Sequence, residues 1–247
     1  MKKMGKKRES PIDLDKNETK GMVLSVAYRI LTIEGRDALT TRTVAEKAGL
    51  QPHDLYRYFG DKKGLIEALV EYGFVKYMSE KMQQLEHEDP VESLRAGWDL
   101  HVEFGLTHPE LYSLMYGEPE FGQKTSAASR AETQLIKKLR VIAVAGRLTV
   151  AVETAADLIH SAACGIVLTL LTKPKAERDL SLSRDARDTV IGRITSRTVV
   201  ENINTKVGAA LALQARLDDL SELTQAERGL LGEWLKRMIH ERTGTLI

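Results

Sequence analysis

His160 and Cys164 stand four residues apart in a stretch of helical pattern, so both side chains share one face at the spacing of a metal pair. Glu86, His87, Glu88 and Asp89 make a second donor set, an acidic cluster with one histidine. Neither amounts to a site by sequence. The first pair has no further identifiable ligand, and the second lies in a polar segment expected to be solvated. The phosphate-cradling GxxxxGK[ST] motif, the GxSxG elbow and the HExxH pair are all missing from the sequence. A metal-dependent helical enzyme is therefore a minor reading. No catalytic residue, metal ligand or cofactor is expected.

The distribution of charge points elsewhere. The 247-residue chain is nearly neutral at +1, yet residues 1–63 carry 14 Lys or Arg against 9 Asp or Glu, leaving the remainder acidic. A basic end on an acidic body suits phosphate contact, because counterion release scales with the cations placed near a backbone. Lys2, Lys3, Lys6, Lys7 and Arg8 belong to a polar leader. With 43% hydrophobic residues the chain has material for a small domain and a larger core. One cysteine excludes an intrachain disulfide and suits a reducing compartment. No apolar run approaches the roughly 20 residues of a membrane span, and the N-terminus lacks the apolar core of a secretion signal. The expected location is the cytoplasm.

The elements that carry the basic end read as helices. Met22, Val23, Val26, Ala27, Ile30 and Leu31 fall on one side of a helix over 18–34 that Gly35 terminates. Two short helices follow around Gly49, with Thr40 as N-cap of the first and Pro52 in the first turn of the second. Counting Thr41 as position one, small Ala45 is fifth, Gly49 ninth and Leu55 fifteenth. A helix-turn-helix needs those types there: a small residue where the helices cross, glycine at a positive-φ turn, an apolar side chain to seal the pair. A long connector helix then runs from near Asp61 to about Gln84.

Beyond a polar boundary at 86–90 the pattern stays helical, with helices expected over 91–106, 109–116, 126–145, 153–171, 187–217 and 225–241. The charged stretch 172–184 reads as a loop. Thr224 and Glu227 form a capping box for the last helix. No strand alternation and no internal repeat is found. The fold class is all-α: a basic, disordered leader over 1–17, a helix-turn-helix domain over 18–62, and a larger helical domain over 63–247.

The run 35–69, GRDALTTRTVAEKAGLQPHDLYRYFGDKKGLIEAL, resembles the DNA-binding segment of the tetracycline-repressor (TetR) family. Leu39-Thr40, Val44-Ala45, Ala48-Gly49, Leu55-Tyr56, Tyr58-Phe59, Lys62, Leu65 and Ile66 carry the likeness without a gap. The resemblance implies that Thr41 and Arg42 contact phosphate and base edges, and that Gln51, Pro52 and His53 sit at the tip of the recognition helix. Tyr56 and Tyr58 match the family's phosphate-contacting aromatics, Lys62 its backbone-binding lysine, and Arg57 is a further phosphate candidate. Two departures stand out. Gln51 occupies a position more often Ser or Thr, and Asp54 puts an acid on a helix that should face phosphates.

The same resemblance implies a homodimer on a palindromic double-stranded operator, most often a repressor, released by a small and largely apolar effector. An effector cavity is expected from Trp98, His101, Phe104, Tyr112, Met115 and Tyr116, which as an aromatic stripe would otherwise read as core. Dimerisation is expected through helices over 153–171 and 199–213, rich in Ala and Gly that let helices approach closely. A regulator of the same fold without an effector is the alternative.

Overall fold

The computed structural model describes residues 11–81, 87–117, 124–196 and 205–240. Among them are α-helices and two 3-10 turns, with no strand beyond an isolated antiparallel bridge between Leu148 and Thr195. The expected all-α class holds. The chain divides into two compact units, residues 1–79 with 108–127, and residues 80–107 with 128–247. That division follows packing rather than chain order: the segment 108–127, C-terminal to the connector, joins the head.

In the first unit, α1 (Pro11–Glu34) buries Val23, Ala27, Ile30 and Leu31, one apolar face at helical spacing. The helix begins earlier than expected, so residues 11–17 are not all leader; proline's fixed φ is pre-organised for a first helical position. The basic residues of 1–10 lie outside the described residues. Next come α2 (Thr41–Lys47), α3 (Pro52–Phe59) and α4 (Lys62–Lys81), the last burying Leu65, Leu69, Val70, Phe74 and Tyr77. The short α6 (Pro109–Tyr116) packs against α1.

The second unit starts with α5 (Pro90–Thr107) and continues through most of α7 (Ser126–Val144) to α8 (Val152–Leu171) and α9 (Ser181–Ile194). α8 packs against both α5 and α9, burying Ala155, Ala156, Ile159, Ala163, Val167 and Leu170. By length and composition α8 is apolar enough to cross a membrane, contrary to the sequence expectation. Glu153 and Asp157 interrupt the run in sequence. Its buried side is that of a core helix. The C-terminal pair α10 (Lys206–Gln214) and α11 (Gln225–His240) shares its own cluster of Ala210, Leu211, Leu235 and Ile239 with Ala151.

Two expectations in this unit are corrected. The stretch 172–184 is not one loop: Asp179 accepts hydrogen bonds from the Ser181 backbone N–H and hydroxyl, both at 2.8 Å, and α9 starts there. Nor does one helix run over 187–217, because Thr149 N–H donates to Ile194 O and Ser196 N–H to Arg147 O. Those bonds take Thr195 out of the helix and into the bridge with Leu148. Of the expected dimerisation helix, 199–204 lies outside the described residues. Thr224 and Glu227 cap α11 as expected, with Thr224 N–H donating to the Glu227 carboxylate at 2.8 Å and Glu227 N–H to Thr224 Oγ1 at 3.3 Å.

Candidate nucleic-acid interface

The helix-turn-helix is built from the inside outward. Val44 and Ala45 of α2 and Leu55 of α3 are buried where the two helices pack, and Leu39 before them is buried too. Between the helices Gly49 takes φ +69°, a conformation in which a Cβ costs strain. The cap of α2 is local: Thr43 N–H donates to Thr40 Oγ1 at 3.1 Å. With the apolar positions turned inward, Arg42, Gln51, Pro52, His53, Tyr56 and Arg57 are exposed, while Thr41 and Tyr58 are half-buried. Tyr56 is 51% exposed, which leaves its phenol open to a partner.

Asp54, the acid that looked misplaced, serves its own helix. Its carboxylate accepts from the Gln51 backbone N–H at 3.3 Å, supplying an N-terminal partner for α3 from the third position inward. It also stands 3.4 Å from Arg57 and 3.7 Å from the His53 ring. The acid is therefore turned back along the helix, and the Gln51 backbone gains a partner despite glutamine's weakness as a cap.

Arg57 lies over the Tyr58 ring at 5.2 Å and donates to the Tyr58 hydroxyl at 3.4 Å. That hydrogen bond, followed by the charge effects of Tyr58 and Asp54, raises the guanidinium above its ordinary pKa. The pair presents a fixed cation beside a phenol. Lys62 opens α4, exposed, directly after Gly60 and Asp61. Asp61 caps that helix by accepting from Gly64 N–H at 2.7 Å. A Cβ on Gly64 would lie 2.0 Å from the Phe59 carbonyl oxygen, so the α3–α4 corner closes only around glycine. Sequence reading missed this residue; the Asp-x-x-Gly spacing signals the cap but not the clash.

The residues expected to line an effector cavity fall into two sets. Trp98, His101 and Phe104 belong to the second unit, and Tyr112, Met115 and Tyr116 to the first. Trp98 is buried and its indole N–H donates to Ser183 Oγ at 3.1 Å. Burial first, and the charge of His160 second, push the His101 imidazole down to about 4. Phe104 is buried, as are Tyr112 and Met115; the Tyr112 and Tyr116 rings meet at a tilt with centroids 4.8 Å apart.

A small-residue helix pair closed by a glycine turn, with cations and phenols on its outer side, in a chain that also holds a second and larger helical unit, is the build of a DNA-binding regulatory protein. Residues 23–69 match the profile described as bacterial regulatory proteins, tetR family. That match covers the helix-turn-helix, and the chain is a DNA-binding regulator whose head is similar to that of the tetR family. Over 132 residues it is 27% identical to the nucleoid occlusion factor SlmA of Vibrio vulnificus, a match covering 50% of this chain and 67% of that protein. Solved structures share the fold. A protein of unknown function from Rhodococcus sp. RHA1 has a TM-score of 0.59 at 20% identity, covering 78% of this chain and all of that one. A tetR-family transcription regulator from Shewanella sp. PV-4 has a TM-score of 0.55 at 16% identity, covering 72% and 99%. The fatty acid degradation regulator FadR from Bacillus halodurans has a TM-score of 0.54 at 16% identity, covering 75% and 97%.

Proposed function

We propose that this chain is a cytoplasmic repressor that binds a palindromic operator as a homodimer and leaves it when a small, largely apolar effector binds. The observation that carries the reading is the exposed row Arg42, Gln51, His53, Tyr56 and Arg57 on a helix pair that buries Val44, Ala45 and Leu55. Arg42, Tyr56, Arg57 and Lys62 grip phosphate, with Thr41 and Tyr58 beside them, and the tip at Gln51, Pro52 and His53 enters the major groove.

Two-fold pairing places two recognition helices about one DNA turn apart, roughly 34–36 Å. Support for pairing comes from the large apolar side chains that one protomer leaves in water on the expected helices: Leu158 and Leu168 of α8 and Leu213 of α10. The effector site belongs in the second unit around Trp98, His101 and Phe104, and release requires that the effector favour one arrangement of the dimer over the other.

The test is titration of the full-length chain onto the duplex upstream of its own gene at several salt concentrations. With six to ten phosphate contacts, affinity falls by about a thousandfold or more between roughly 50 and 200 mM salt. Failure to bind any duplex at low salt would sink the reading. The alternative is DNA binding without an effector. A compound that both raises the melting temperature of the protein and weakens its operator complex decides for the first.

A further inference from the structure

Cys164 and His160 share a face of α8, and the structure brings His101 of α5 to the same sulfur. The thiol Sγ lies 3.7 Å from His160 Nδ1, 3.8 Å from His160 Nε2 and 3.9 Å from His101 Nε2. All three residues belong to the second unit, and helices α5 and α8 are packed together there. Cys164 is half-buried, His160 is exposed and His101 is half-buried. Among the described residues no three His, Cys, Asp or Glu side chains are set to hold a metal ion.

We propose that Cys164 is a covalent modification site, a nucleophilic thiol activated by His160 that adds soft carbon electrophiles of the α,β-unsaturated carbonyl class. A thiol becomes a nucleophile by losing its proton, and an adjacent imidazole is the side chain best matched to take it near neutral pH. His160 faces solvent, where a proton taken from the thiol can be exchanged. His101, whose ring is desolvated and held neutral, packs against the sulfur from α5 without competing as a base near neutral pH.

The step balances without an outside oxidant. His160 takes the S–H proton, the sulfur lone pair forms a bond to the electrophile's β-carbon, and the C=C π pair moves onto the α-carbon and its carbonyl. The imidazolium then returns the proton to the α-carbon, so the net change is addition of S–H across the double bond. The half-buried sulfur at the α5–α8 contact favours flat, apolar electrophiles over charged ones. The proposal goes beyond the DNA-binding reading and does not depend on it.

The experiment is alkylation of the full-length chain with N-ethylmaleimide, followed by intact mass, with Cys164→Ser as blank. Because Cys164 is the one cysteine of the chain, every adduct reports on it. An ordinary thiol is only a few per cent thiolate at neutral pH. A base partner raises that fraction severalfold while the less basic thiolate is a weaker nucleophile, for a net gain of about threefold over glutathione. The expected result is one adduct at that rate and a fall of at least about threefold in His160→Gln, with helicity unchanged. Thiolate ultraviolet absorbance of the unmodified protein at neutral pH, above the Cys164→Ser blank, checks the activated state without relying on the His160 variant. A rate at or below that of glutathione overturns the proposal, as does a His160→Gln rate equal to the parent's. So does stoichiometric zinc that blocks the thiol until chelated.

Discussion

The Tyr28 hydroxyl of α1 and Nδ1 of His108, at the start of α6, are hydrogen-bonded at 3.2 Å across 80 residues of chain. The His108 ring also meets Tyr77 of α4 edge-on at 5.4 Å, and Tyr28 meets Tyr72 of α4 at 6.2 Å. One imidazole thus touches side chains from both α1 and α4 while its backbone carbonyl accepts the Tyr112 N–H of α6. Tyr28→Phe keeps both ring contacts and removes only the hydroxyl. We expect a loss of about 1 kcal/mol in urea unfolding, with secondary structure unchanged. An unaltered midpoint would show that the bond contributes nothing net.

On the proposed DNA-facing surface, Arg42→Ala and Tyr56→Phe remove groups that are exposed in the protomer, so stability should stay within about 0.5 kcal/mol of the parent. Operator affinity should fall in both. If Arg42 neutralises one phosphate, the slope of log affinity against log salt drops by about 1 in Arg42→Ala and is unchanged in Tyr56→Phe. Anisotropy titrations across salt separate the two. An unchanged slope in Arg42→Ala with reduced affinity at selected sequences would instead assign that arginine to a base edge.

Gly64→Ala tests the corner between α3 and α4. The added Cβ meets the Phe59 carbonyl oxygen at 2.0 Å, and that oxygen is backbone rather than the end of a flexible side chain. The corner must open, at a cost of about 1–3 kcal/mol, and Lys62 moves with it. Thermal unfolding together with operator affinity should show both falling. Stability retained in full would mean that the corner yields elsewhere.

The helix-turn-helix was legible because each of its requirements is local: Thr40 caps within three residues, Gly49 supplies one dihedral angle, and Leu55 seals a pair ten residues earlier. Asp54 was not, since its role depends on a rotamer turned back to the Gln51 N–H and residue type alone leaves that open. The break of the long helix at Thr195 was hidden for a different reason. It is set by hydrogen bonds to Arg147 and Thr149, nearly fifty residues away, and no helical period records them. His101 read as one member of an aromatic stripe; its place against Cys164 comes from packing of α5 on α8, which sequence spacing does not specify.

Gly165 tests the proposed pairing surface. It is exposed within α8, and a Cβ there meets nothing within 4 Å. In an isolated protomer Gly165→Ala therefore gains about 1 kcal/mol from helix propensity. Leu158, Ser161, Gly165 and Leu168 fall at three- and four-residue steps on the solvent side, the line that would meet a partner helix closely. If that line is the pairing surface, the same substitution weakens self-association while the protomer is stabilised. Sedimentation equilibrium with unfolding at low concentration measures both. A dimer constant equal to the parent's would move the interface off this line.

His101 gives a pH dependence with a definite sign. Its pKa falls from the ordinary 6.5 to about 4 in the folded chain, burial being the larger cause and His160 the smaller. Between those values the unfolded chain binds a proton that the folded chain does not, so stability falls as pH drops from about 6.5 towards 4. Above 6.5 the contribution is constant. At one pKa unit per 1.36 kcal/mol the full loss is about 3 kcal/mol, of which about 2 kcal/mol appears between pH 7 and 5. His101→Gln removes the titrating ring at that position, whereas most of the other histidines and carboxylates titrate alike in both proteins, so the difference between the two profiles isolates it. Urea midpoints at pH 7 and pH 5 should therefore separate for the parent by about 2 kcal/mol more than for the variant. Parallel profiles would mean that water reaches the ring and that the α5–α8 contact is open in solution, which would also remove the desolvated neighbour assigned to Cys164.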